Sequence, residues 1–158
     1  MKLPLMFGVG CLAVVALSLS LPAAERLSIT ISLLTAVGGV SGFLYAQHAR
    51  DIQLFRELFR EFNARYDTLN DRLNEIRNRE PGQPLKETDH GVLFAYFNLC
   101  GEEYMYATAG YIDPRVWCAW HNGMCYFDRD PEIHNFWKDE LRQDSYYGFA
   151  LGCMPRNV

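Results

Sequence analysis

The residues able to do chemistry in this 158-residue chain crowd into its second half. Between residues 94 and 149 stand 15 aromatic residues, and among them the cations Arg115, His121, Arg129, Lys138 and Arg142. Rings at this density offer stacking platforms for bases, and Arg or His beside them can hold phosphate. Arg115, Trp120, His121, Arg129, Lys138 and Arg142 therefore form the candidate ligand-binding set, suited to a small anionic ligand. The plainer use of the rings is core and interface packing. A second constellation is Cys118, His121 and Cys125, spaced three and four so that they share one helical face. Soft S and N ligands of this kind hold zinc. No CxxC pair accompanies them, and cysteine is a common small core residue, so no metal site is expected. The third is Glu102-Glu103. Adjacent helical residues point about 100° apart, which is too far for a carboxylate pair. The chain has no Gly-rich phosphate loop, no HExxH and no Ser/His/Asp order. The expectation is a protein that is not an enzyme and uses no cofactor.

Helices must position these residues. Asp89 reads as the cap of a helix reaching about Thr108, with Gly110 as its stop and Leu93, Phe97, Cys100 and Tyr104 on its inner face. Asp113-Pro114 and Asp130-Pro131 each place a capping residue before Pro at the first helical position. They open helices to about Phe127 and about Gln143, and 146–153 reads as a short fourth. Almost nothing alternates with period two, so the fold class is all-α, and the small helical domain spans 85–158. A domain of about 70 residues is marginal alone.

Ahead of that domain, 80–84 (Glu-Pro-Gly-Gln-Pro) is a breaker. Before it, 47–79 reads as a cytosolic neck helix. Ile52, Phe55, Phe59, Phe62, Tyr66, Leu69, Leu73 and Ile76 are spaced alternately three and four, an unbroken a/d seam flanked by mixed charge. The aromatic a/d residues are bulky for a two-stranded zipper. They predict homo-oligomerisation with more than two chains, or a seam covered by the protein's own C-terminal helices.

The first third is a different material. From Leu3 to Ala24, and again from Leu27 to Ala49, no Asp, Glu, Lys or Arg occurs. Crossing about 30 Å of hydrocarbon takes about 20 apolar residues. Residues 1–46 therefore read as a transmembrane hairpin with spans at about 3–22 and 27–46. The rival for the first run is a cleaved signal peptide, which the Leu21 and Pro22 positions disfavour. Arg50, Arg56, Arg60 and Arg65 follow the second run, which places the C-terminal part in the cytoplasm of a bacterial inner (plasma) membrane. There the five cysteines are expected as free thiols. Gly38 and Gly42 form a GxxxG pair, a packing face for helices in lipid. No ionisable side chain lies mid-span, which disfavours a proton relay or voltage sensor.

Net charge divides as +1 for 1–46, +1 for 47–79 and −6 for 80–158. An acidic domain is a poor partner for long nucleic acid, whose affinity comes mainly from neutralised phosphates. The Arg115/His121 pair is similar to the Arg-x5-His element of HEPN-type ribonucleases, although Val116 stands where those motifs carry a polar residue. Two spans, a helical neck and a small helical cytosolic domain together resemble bacterial membrane effectors of antiphage defence. The nearest are the ancillary membrane proteins of type III CRISPR systems that sense cyclic oligoadenylate. That resemblance covers the whole chain as architecture. It implies an oligomeric effector whose domain senses a cyclic nucleotide and gates membrane disruption. Its expected partners are the lipid bilayer, further copies of itself and cyclic oligoadenylate. The alternative is a membrane-anchored adaptor that recruits a cytosolic partner.

Overall fold

The computed structural model describes residues 3–19, 22–80, 82–142 and 145–149. Every regular element among them is a helix: α1 (Leu3–Leu19), α2 (Ala23–Arg77), α3 (Glu87–Thr108), α4 (Pro114–Asp128) and α5 (Pro131–Leu141). The chain divides into two compact units, Met1–Gln53 and Leu54–Val158, with the division inside α2.

In the first unit, Gly10, Val14 and Ser18 recur every four residues and so share one face of α1. Val14 and Ser18 are buried there. A Cβ on Gly10 would come within 3.2 Å of Val37 on α2, so the missing side chain is what lets the two helices touch. Their remaining surfaces are apolar and exposed, with Leu5, Leu12, Leu17, Leu27, Val40 and Phe43 all facing outward. Thr30, Ser32 and Thr35 donate their hydroxyls to the carbonyls of Arg26, Ser28 and Ile31 on their own helix. Among the described residues, α2 is the one helix long and apolar enough to cross a membrane, while the apolar run of α1, Phe7–Leu19, is shorter. Residues 20 and 21, which complete the first expected span, lie outside the described residues.

The second unit is built on the C-terminal part of α2. Leu73 and Ile76 are buried against Leu93, Tyr96, Phe97 and Cys100 of α3, Met124 and Phe127 of α4, and Ile133 and Trp137 of α5. Phe62 is buried with Leu58, Leu99 and Ile112. Rings carry much of this contact: the Phe97 and Trp137 centroids lie 4.2 Å apart, and Phe62 meets Trp120 edge-on at 5.8 Å. Two covers were expected for the a/d seam, other copies of the chain or the protein's own C-terminal helices. From Phe62 to Ile76 it is filled from within this chain, while Ile52 and Phe59 nearer its N-terminal end are exposed.

Local sequence explains the helix ends. Asp113 accepts from the Arg115 N–H at 2.8 Å, and Asp130 accepts from the Glu132 and Ile133 N–H groups at 3.0 and 3.1 Å. Both are the N-caps that the Asp-Pro pairs announce. Asp89 departs from expectation. It sits inside the first turn of α3, where its carboxylate accepts the Lys86 N–H at 3.0 Å, so the cap is Lys86 and the helix starts three residues earlier. Gly110 takes a φ of 82° just past α3, as a stop requires. The expected helix over 146–153 is not found at 146–149. Those residues form a turn with positive φ at Tyr147 and Gly148, and 150–153 lie outside the described residues. The turn lays Tyr146 across Gly101 of α3, where an added Cβ would sit 3.3 Å from it.

Candidate functional site

The six residues of the expected anion site do not converge. Arg115 is 91% exposed and bound to Asp113, its own helix cap, at 2.8 Å. Arg129 lies at the other end of α4, about 21 Å along the axis at 1.5 Å per residue. Lys138 and Arg142 are exposed on and just beyond α5, with Arg142 paired to Asp139. His121 turns inward, its ring 5.7 Å from Trp117 and its Nδ1 3.8 Å from the Cys125 sulfur. Cys118 faces solvent, and no cluster of three metal-binding side chains occurs among the described residues. Of the six, Trp120 lines a cavity.

That cavity, about 220 Å³ and open to solvent on one side, is lined by Asn63 and Tyr66 of α2, Tyr96 and Glu103 of α3, and Ala119, Trp120, Gly123 and Met124 of α4. Helical spacing assembles it. Tyr96, Cys100 and Glu103 follow the four-then-three pattern that keeps residues on one face, and Trp120 and Met124 are one turn apart. The walls are fixed by neighbours. Trp120 stacks on Phe59 at 6.0 Å, and Tyr66 lies 6.4 Å from Tyr96. Asn63 is anchored by its side-chain N–H to the Phe59 carbonyl at 2.6 Å.

Glu103 is the unusual member. It is 6% exposed, and its carboxylate oxygens, with no hydrogen bond to a described residue, reach solvent through the cavity. Burial pushes its pKa up to about 8; the Arg65 guanidinium pulls it down and the Glu102 carboxylate adds to the rise. Arg65 is itself engaged, forming a two-pronged pair with Glu102 whose longer arm is 3.0 Å. The 100° between neighbouring helical positions thus sends Glu102 to the surface pair and Glu103 into the cavity. Burial also raises the Tyr96 hydroxyl and Cys100 thiol well above their usual values, and both lie beside Glu103.

A second polar knot holds the domain together. Arg79, just past α2, donates to the Ile76 and Gln83 carbonyls at 2.6 and 2.7 Å. It also grips both Asp130 oxygens at 2.9 and 2.7 Å, although the two residues are 51 apart in the chain. Burial pushes the Asp130 carboxyl up, but the guanidinium and the α5 backbone N–H groups outweigh it and hold the pKa below the usual value. This knot is structural, because it ties the end of α2, the linker and the α5 N-terminus in one place.

Compared with known proteins, the chain matches no family model, no curated protein and no solved structure. The class that fold and site define is an all-helical protein with one long apolar helix near its N-terminus and a helical domain holding a small aromatic cavity.

Proposed function

We propose that this chain is an integral membrane effector that self-associates in the bilayer and uses its cytosolic helical domain to sense a small ligand. The observation that carries the reading is the continuity of α2. One helix of 55 residues begins in the apolar segment and ends in the domain core, contributing Tyr66 to the cavity wall. Any ligand that reshapes the cavity acts on the helix that enters the membrane. Self-association is supported by the GxxxG face. Added Cβ atoms at Gly38 and Gly42 would meet nothing within 4 Å, since the close approach between α1 and α2 is made at Gly10 against Val37 instead. That leaves a small-residue face for a second copy. An antiphage role, with cyclic oligoadenylate as the signal, belongs to the architectural resemblance. The described cations do not converge to hold it, and a carboxyl-lined cavity of this size favours a smaller ligand.

The test is cross-linking of the full-length protein in liposomes, read together with dye release as candidate ligands are added. Oligomers that weaken in Gly38→Leu/Gly42→Leu, with ligand-dependent release, support the reading. A monomer that leaks under no ligand sinks it. An adaptor would instead use the exposed rings of Phe94, Tyr111, Tyr126 and Tyr147 and would capture one protein partner without any release.

A further inference from the structure

The cavity chemistry narrows the ligand. Three aromatic side chains, Tyr66, Tyr96 and Trp120, share the walls with one carboxyl group, Glu103. Aromatic faces attract cations through their quadrupoles, and a desolvated ring collects more of that energy than an exposed one. Glu103 is buried, faces the cavity and has no hydrogen-bonding partner among the described residues. Its one cationic neighbour, Arg65, already serves Glu102. A buried carboxyl in this position is costly until something positive or hydrogen-donating meets it.

Size sets the other limit. A cavity of about 150 Å³ holds benzene, and drug-sized ligands fill about 300 Å³ or more. At about 220 Å³ this one suits a compact metabolite. An anion would have to enter beside Glu103 with no converging Arg or Lys to meet it. We propose that the cavity lined by Tyr66, Tyr96, Trp120 and Glu103 binds a small organic ammonium, with the rings as a cage and Glu103 as counter-charge. This rests on reading the helical domain as a small-ligand sensor.

Proton linkage follows from the neighbours. The groups facing Glu103 are Arg65 and Tyr66 from α2 and Tyr96, Cys100 and Glu102 from α3. From α4 come Ala119, Trp120, Gly123 and Met124, none of which ionises, and α5 lines no part of the cavity. The Arg65 guanidinium, raised by its hydrogen bond to Glu102, stays charged across neutral pH, and burial keeps the two hydroxyls and the thiol neutral. Glu103 is therefore the group that titrates. With a pKa of about 8 it is mostly protonated at pH 7. A permanently charged ammonium binds its carboxylate, so one proton leaves Glu103 for the buffer as the complex forms. The ionised fraction rises about tenfold from pH 7 to pH 9, and affinity rises with it.

The experiment is isothermal titration of the full-length protein in maltoside micelles with choline. A parallel titration uses its uncharged isostere, in which a quaternary carbon replaces the nitrogen. The expected result is saturable choline binding, about tenfold or more tighter than the isostere, with proton release at pH 7 and tighter binding at pH 9. Glu103→Gln should cut the preference for charge to what the rings alone supply, while the fold persists by circular dichroism. Tyr66→Leu should reduce choline binding and leave the isostere unchanged. Glycerophosphocholine, run alongside, separates the sources: tighter binding than choline assigns a lipid headgroup, weaker binding a free ammonium. Equal affinity for choline and isostere, or no heat from either, overturns the proposal. Choline binding without any membrane response leaves the ammonium site standing and removes the effector reading. Ligand-gated release with no choline binding does the reverse.

Discussion

Replacing Glu103 with Gln should stabilise the protein, and the gain should grow with pH. In the unfolded chain this carboxyl ionises near 4.5, and in the folded domain near 8. Between those values the folded state holds a proton that the unfolded state has released, so rising pH favours unfolding. Each pH unit in that window costs about 1.4 kcal/mol. The penalty is under about 1 kcal/mol at pH 5 and reaches about 3 kcal/mol at pH 7. Glutamine has nearly the shape of the protonated acid and never pays it. For a domain of this size, about 3 kcal/mol moves the melting midpoint by ten degrees or more. Thermal unfolding of wild type and Glu103→Gln, followed by circular dichroism in micelles at pH 5, 6, 7 and 8, measures the difference directly. The two midpoints should nearly coincide at pH 5 and separate steadily to pH 8. A constant separation across that range would refute the reasoning, because it would mean that the carboxyl is already solvated or paired in the folded state.

Two other perturbations test what holds the helical domain together. Asp130→Ala removes the counter-charge of the half-buried Arg79 guanidinium and the α5 cap, and should cost about 3 kcal/mol in urea unfolding; Asp130→Asn, which can still accept the cap hydrogen bonds, should cost clearly less. Phe62→Ala, at a position 1% exposed, should cost about 3–5 kcal/mol, and Phe59→Ala, 40% exposed, about 1 kcal/mol. Equal losses at the two positions would mean that the neck seam is covered along its whole length by something other than α3 and α4.

The helix ends were the most legible part of this sequence, since they follow from short-range chemistry. Asp-Pro supplies a cap oxygen and a residue whose missing N–H costs nothing there, and both such pairs open helices as expected. Asp89 misled because an acid can serve a helix start from two places: at the cap it accepts N–H groups of the first turn, and at the third helical position it reaches back to the cap's own N–H, as it does to Lys86. The heptad seam was legible as an apolar face and illegible as a surface. A three-four repeat states that one side of a helix must leave water, but says nothing of what will cover it. Here the covering rings come from α3 and α4, 30 to 60 residues further along the chain.

The candidate ligand-binding residues are dispersed for a related reason. The cations Arg115, Arg129, Lys138 and Arg142 drew attention because charge among rings is conspicuous in a sequence, yet charge is cheapest at the surface, and all four are exposed. The informative charge is the one that is not exposed. Adjacent glutamates at 102 and 103 point in different directions, which removes them as a catalytic pair. The same divergence is what gives them separate fates. Glu102 meets Arg65 across the helix interface, and Glu103, with no cation left to answer it, faces a cavity walled by Tyr66, Tyr96 and Trp120. Only packing reveals that difference, because it depends on which face of α3 meets α2 and α4. A domain that keeps an unpaired carboxyl in its interior gives up stability at neutral pH, and a bound cation in that cavity would restore it.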